Sequence, residues 1–473
     1  MGLQQQLAEY FEFEELGTDL RTEVVAGLST FLTMSYIVFV NPSILVGGTE
    51  GSPVGVKPGI IVEGVSYAQT VQMVAVVTLI AAAVATLIMA LYAKRPFGQA
   101  PGLGLNAFFA FTVVGALGVP WETALAAVVV EGLLFILLTA VGARKYVINA
   151  FPTPVKLAVG TGIGLFLTII GLEAMGIVVD DPATLVTLGA VASDPVAIVS
   201  VVGLFLTFAL YARGIRGSIV LGILFTTVIG YVAAQVGLGS PAALTGQLGA
   251  QATYDISPLA GAFVTGLQDV DALAFSLIVF TFFFVDFFDT AGTLVGVGQV
   301  AGFLDEDGDL PEIEKPLMAD AVGTTVGGML GTSTVTTYIE SAAGVEEGGR
   351  SGMTALVVAL LFLVSLAFVP IAAAVPLYAS HIALVVIGIV MLRNVVEVAW
   401  DDITVAIPAG MTILIMPFTY SIAYGIAAGI VSYPLVKLAA GRRGEIRPGH
   451  WALAGAFVLY FVVRTGGVLT GAV

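Results

Sequence analysis

FTFFFVDFFDTAGT, residues Phe280 to Thr293, is an apolar run of bilayer grade that carries two carboxylates, Asp286 and Asp289. A charged side chain at hydrocarbon depth costs about 2.5–3.5 kcal/mol by insertion, so it is kept only where it faces a partner or water. A second stretch, GTSTVTTYIE from Gly331 to Glu340, interrupts another apolar region with Gly, Ser and Thr and ends on a third acid. Three carboxylates in two such segments predict a polar pocket inside a membrane protein.

Composition agrees. The chain has 473 residues, of which 58% are hydrophobic and 11% charged, and its mean hydropathy is +1.03. Runs of about 20 apolar residues are stable only in lipid or against other helices, which implies a polytopic helical bundle. The 57 glycines suit close helix crossings. No cysteine is present, which excludes disulfides, thiolate catalysis and zinc–thiolate sites, and two histidines make a histidine metal centre a poor reading. Met1 to Leu20 is polar and acidic and lacks the pattern of a cleavable signal peptide. The net charge of −16 gathers in loops, as at Asp305, Glu306, Asp307, Asp309, Glu312 and Glu314, a pattern suited to work in high salt.

Membrane segments are read at about residues 22–45, 66–93, 104–118, 121–142, 152–173, 195–213, 216–237, 262–298, 315–331, 338–347, 351–369, 376–396, 402–418 and 420–439. With the N-terminus inside, the cytoplasmic ends collect Arg21, Lys94, Arg95, Arg144, Lys145, Lys156, Arg213, Arg216, Lys315, Arg350, Arg393, Lys437, Arg442, Arg443 and Arg447, whereas Lys57 falls outside. This asymmetry is what the positive-inside rule asks of an even count. After the last segment, Trp451 to Val463 is a short apolar helix, either lying at the membrane surface or packed on the bundle, and Arg464 follows it.

The third segment opens with APGLGLNAFFAF, Ala100 to Phe111, and the tenth with GTSTVTTYIES, Gly331 to Ser341. Each sets glycines and small polar residues before a short helix, and in a seven-plus-seven division the two are counterparts. PTPVKLAVGTGIGLFLTIIG, Pro152 to Gly171, likewise matches PLYASHIALVVIGIVML, Pro376 to Leu392, as fifth and twelfth. Paired interrupted helices point to a binding site near the bilayer midplane.

Asp286 and Asp289 are three residues apart and share a helix face. Both are candidates for one cavity, with a capping role near Gly292 as the plainer reading of Asp289. Glu340 stands where a short helix begins, and Thr336 or Thr337 could cap that helix, which leaves the acid for a ligand. Asn106 occupies the corresponding break and offers donors and an acceptor. Phe108 and Phe109 could present an aromatic face, core packing being their commoner use. Glu131, Asp320, Gln69 and Gln72 read equally well as polar contacts between helices, and His381 as a packing residue.

Four stretches carry a resemblance: GTDLRTEVVAGLSTFLTMSYIVFVNPSIL (Gly17 to Leu45), APGLGLNAFF, FVDFFDTAGTLVGV (Phe284 to Val297) and GTSTVTTYIESAAGVEEGGRSG (Gly331 to Gly352). From about Gly17 to about Pro448 the chain resembles the azaguanine-like purine permeases of the nucleobase/ascorbate transporter superfamily. The resemblance implies an all-α membrane fold of fourteen segments in two inverted seven-span repeats, with short strand-like breaks in the third and tenth. It implies a core of residues 1–150 and 259–370, a gate of residues 151–258 and 371–440, and a tail of residues 441–473. It further implies that Asp286, Asn106 and Glu340 contact a purine, with Asp289, Thr336 and Thr337 nearby.

The implied activity is import of hypoxanthine, guanine or adenine across the plasma membrane. No cofactor is implied, and the coupling ion would be a proton, with sodium as the other candidate. A homodimer is left open, and nucleic acid is not a partner. Purine edges alternate donors and acceptors, so bidentate side chains and free N–H groups fit them. An anion transporter of the same fold is the nearest alternative, but three carboxylates would repel its cargo. An intramembrane aspartyl protease would need its two acids on different helices, and here Asp286 and Asp289 share one.

Overall fold

The computed structural model describes residues 2–48, 59–142, 151–247, 249, 251–268, 270–305 and 310–465. Lys57, Arg144, Lys145, Glu306, Asp307 and Asp309 of the readings above lie outside the described residues. Among the described residues, ten helices are long and apolar enough to cross a membrane, and Leu103–Ala116 and Ile403–Thr419 are shorter apolar helices.

The first membrane segment is two helices, α1 (Leu20–Met34) and α2 (Ile37–Val46), bent at Ser35–Tyr36. Asp19 caps the first by accepting from Thr22 N at 2.9 Å. Helix α3 (Tyr67–Ile88) starts in a capping box between Ser66 and Gln69. Gln72 of α3 accepts from Thr253 N at 2.8 Å and so ties α3 to a distant segment, whereas Gln69 serves the cap. Strand β1 (Gln99–Pro101) then leads into α4 (Leu103–Ala107), which continues as a wide π-helical stretch, Phe108–Ala116. Helices α5 (Trp121–Ala140) and α6 (Thr153–Ala174) follow. A hairpin of β2 (Val178–Asp181) and β3 (Leu185–Leu188) leads to α7 (Pro195–Ala212) and α8 (Ser218–Gln235).

The run 262–298, read above as one span, divides. A single turn, Phe263–Gly266, precedes α9 (Ala272–Ala301), because Asp271 accepts from Ala274 N at 2.7 Å and starts the helix afresh. Helix α10 (Glu314–Leu330) ends at Gly331, whose φ of +105° suits a residue without a Cβ. Strand β4 (Val335–Thr337) and the short α11 (Ser341–Glu346) form the tenth segment. The remainder is α12 (Gly352–Ser365), α13 (Leu377–Met391), α14 (Ile403–Thr419), α15 (Ile422–Ala439) and the tail helix α16 (Pro448–Thr465).

Two close approaches set the interior. Strands β1 and β4 pair antiparallel, Gln99 against Thr337 and Pro101 against Val335, which joins the two glycine-rich breaks inside the bundle. Pairing satisfies backbone groups that lipid could not. Helices α6 and α13 cross through glycines: a Cβ on Gly164 would come 2.7 Å from Gly388 O and 2.9 Å from Met391 Cβ. At the far end of α14, Tyr420 takes a left-handed φ of +51° and its carbonyl accepts from Thr112 Oγ1 at 3.0 Å.

Candidate functional site

Where β1 and β4 end, the first break brings Gly102, Leu103 and Gly104 and the second brings Thr336, Thr337 and Glu340 to a cavity of about 420 Å³. That size falls within the range of about 300–1,000 Å³ usual for small-molecule sites. One wall comes from Tyr36, Gly102, Phe288, Asp289, Thr336, Thr337 and Glu340, the other from Lys156, Gly160, Ile163, Ile387, Met391 and Asn394. Gly102 keeps the floor open, since a Cβ there would lie 2.7 Å from Thr336 Cγ2 and 3.7 Å from Asp289 Oδ2.

Glu340 is held at the cavity by the hydroxyl of Tyr36, which donates to Oε1 at 2.5 Å. Its backbone is fixed too, as Thr33 Oγ1 donates to Glu340 O at 3.4 Å. Asp289, one turn after Asp286 on α9, faces the same space beside the ring of Phe288. The ammonium of Lys156 lies 6.0 Å from the centre of that ring. Thr336 and Thr337 are buried at the back. Thr337 donates to Asp320 Oδ1 through its N–H at 2.9 Å and its hydroxyl at 3.4 Å, and Gln99 Nε2 adds a third bond at 3.2 Å. Asp320 therefore anchors β4 from behind. The arrangement is an apolar slot with the ring of Phe288 on one side and three acids, Asp289, Glu340 and Glu397, hydroxyls and the Lys156 ammonium at its edges.

The residues singled out from sequence separate into two groups. Asp289, Glu340, Thr336 and Thr337 line the cavity. Asp286, Asn106 and Phe108 do not. Asn106 is fully buried and joins the breaks, taking the hydroxyl of Ser333 on its Oδ1 and donating from Nδ2 to Pro101 O at 3.5 Å. Phe108 packs edge-on against Phe282, 4.8 Å between centroids, which is the core use weighed against a ligand role. Asp286 has no exposed surface and turns toward Glu131 of α5, the two carboxyl groups within hydrogen-bonding reach of each other. The reason is rotation: three residues along a helix turn the side chain by about 300°, so a shared face need not mean a shared cavity.

Tyr36, Lys156, Phe288 and Asn394 escaped the sequence reading. Tyr36 sits at the kink of the first segment, and Lys156 is a basic residue one turn into α6. Both were visible as polar atoms at helix interruptions or ends. Phe288 and Asn394 carried no such signal.

Comparisons with known proteins bear on this geometry. The model of the Permease family (Xan_ur_permease) matches residues 21–428. A putative permease of Methanocaldococcus jannaschii is 45% identical, the match covering 97% of this chain and 98% of the relative. The guanine/hypoxanthine permease PbuG of Bacillus subtilis is 39% identical, covering 96% and 99%. The adenine permease AdeP of Escherichia coli is 38% identical, covering 96% of each. Among solved structures, the transmembrane domain of the cyanobacterial bicarbonate transporter BicA superposes with a TM-score of 0.60 at 15% identity, over 89% of this chain and 97% of that one.

Proposed function

Because this chain belongs to the Permease family and is a multi-pass membrane transporter, not an enzyme, we propose that it imports purine nucleobases by ion-coupled alternating access. One observation carries the reading. Asp289, from the continuous helix α9, and Glu340, at the end of the break in the tenth segment, converge on one cavity against the face of Phe288. A purine is flat and neutral. Stacking on an aromatic side chain is worth about 1–3 kcal/mol per base, and carboxylates and threonine hydroxyls offer acceptors and donors to its edge. The names of PbuG and AdeP support a purine as cargo. The likeness to BicA supports the fold and says nothing of cargo.

The proposed architecture is fourteen segments in two inverted repeats, with residues 1–150 and 259–370 as core and 151–258 and 371–440 as gate. It is supported by the antiparallel pairing of the two breaks and by a cavity walled on one side by residues of each proposed unit. Alternating access moves such units about a fixed site. The cavity runs toward Lys156 and Asn394, next to Arg393, on the side that the basic residues assign to the cytoplasm. The contact of Thr112 with Tyr420 closes the other side. The N-terminus would be cytoplasmic, the membrane the plasma membrane, and the coupling ion a proton.

The test is uptake of radiolabelled hypoxanthine into proteoliposomes holding the full chain, with guanine, adenine, xanthine, uracil, sulfate and bicarbonate as competitors. Saturable uptake competed by purines alone is expected. Uptake competed by sulfate or bicarbonate, or no hypoxanthine uptake at all, would overturn the reading.

A further inference from the structure

Behind the cavity, Glu131 of α5 and Asp286 of α9 meet across two helices, and neither touches the proposed purine space. Both are fully buried. With both ionised, neither supplies a hydrogen to the other, which leaves Glu131 Oε1, Glu131 Oε2 and Asp286 Oδ2 without a donor. Two carboxylates in contact and away from water repel strongly unless one holds a proton. On the same two helices Phe135, Phe283 and Phe287 form a buried cluster, with ring centroids 5.7–6.0 Å apart. Helix α10 closes the flank, since a Cβ on Gly132 would come 2.8 Å from Thr325 N.

Among the described residues, a pair of hydroxyls leads from Asp286 to the cavity. The hydroxyl of Thr290 lies 3.3 Å from Asp286 Oδ1, 3.0 Å from Asp320 Oδ2 and 2.7 Å from Thr336 Oγ1. Thr336 lines the cavity. A hydroxyl has one hydrogen, so Thr290 serves one acceptor at a time. The other charged groups facing the pair are Asp289 on the next turn of α9 and Asp320 on α10.

We propose that Glu131 and Asp286 form the binding site of the coupling proton, distinct from the purine cavity and joined to it through Thr290 and Thr336. The inference rests on the purine-permease reading. A proton arriving from the cavity bonds to Thr336 Oγ1, the Thr336 hydrogen passes to Thr290, and the Thr290 hydrogen passes to Asp286. One proton is gained by the pair and each hydroxyl is restored. With the pair protonated, Thr290 is free to donate to Asp320, which holds Thr337 in the cavity wall. With the pair ionised, Asp286 claims that hydrogen and Thr290 no longer ties Asp320, and with it β4, to α9. Loading of the proton and the shape of the purine wall are tied in this way.

The test uses the full chain in proteoliposomes with a pH dye inside. In the wild type, hypoxanthine added outside is expected to carry protons inward. Glu131→Gln is expected to keep hypoxanthine exchange within about twofold and to lose at least tenfold of both the proton flux and the gradient-driven accumulation, a loss of about 1.4 kcal/mol or more in driving. The double swap Glu131→Asp with Asp286→Glu is expected to restore the flux.

Wild-type proton flux retained in Glu131→Gln would overturn the proposal, as would a double swap that keeps hypoxanthine exchange and fails to restore the flux. Hypoxanthine exchange without proton flux in the wild type would overturn it while leaving the purine reading intact. Absence of hypoxanthine exchange in the wild type would remove both.

Discussion

Glu340 and Tyr36 make the sharpest case for a residue acting on cargo. The phenol holds the half-buried carboxyl at the cavity through a 2.5 Å bond. Glu340→Gln is expected to weaken hypoxanthine binding by about 5- to 150-fold, because a buried polar partner left unpaired costs about 1–3 kcal/mol. Tyr36→Phe, which leaves the carboxyl in place but frees it to turn, is expected to cost less, at the low end of that range. Titration of purified protein with radiolabelled hypoxanthine measures both, and unchanged affinity in Glu340→Gln would remove the residue from the site. At this scale the sequence marks which apolar runs carry acids but not where each acid points. Asp286 and Asp289 look alike in FVDFFD, yet one faces the cavity and the other faces Glu131, because the rotation of α9 is set by its neighbours.

The pairing of β1 with β4 was legible as two glycine-rich interruptions in APGLGLNAFF and GTSTVTTYIE. Their register was not, since it depends on which backbone groups meet once both segments are inside the bundle. Asn106 secures that meeting through Ser333 and Pro101. Asn106→Ala is therefore expected to lower the stability of the protein by about 1–3 kcal/mol, as the buried Ser333 hydroxyl loses its acceptor. It should lower purine affinity less than Glu340→Gln does. Thermal unfolding in detergent, compared with binding on the same sample, distinguishes the two effects. Helices α6 and α13 meet similarly through Gly164 and Gly388 and contribute Ile163, Ile387 and Met391 to the cavity. A methyl at Gly164 would have to displace Gly388 O or Met391. Gly164→Ala is expected to cost about 1–3 kcal/mol by overpacking, and a melting temperature equal to wild type would show that the helices do not cross there.

For the whole molecule, the accessible side of the cavity is the property to measure. None of the 473 residues is cysteine, so single-cysteine variants report without a background. Asn394→Cys, exposed at the cavity edge, is expected to react with a membrane-impermeant maleimide from the cytoplasmic face of inverted vesicles, and hypoxanthine is expected to slow that reaction. Thr112→Cys, buried against Tyr420, is expected to stay unreactive from outside. Reaction of Asn394→Cys from the outer face alone would reverse the proposed orientation.

Hydropathy, the glycine-rich breaks and the placement of acids in apolar runs were determined by the sequence alone, because insertion into lipid acts on composition along the chain and punishes every charge or free backbone group. The division of 262–298 at Asp271, the partner of each carboxyl and the union of Tyr36, Phe288, Lys156 and Asn394 around one space were decided only by the tertiary structure. Those features depend on helix rotation and on contacts between segments hundreds of residues apart, and neither is written in any local pattern.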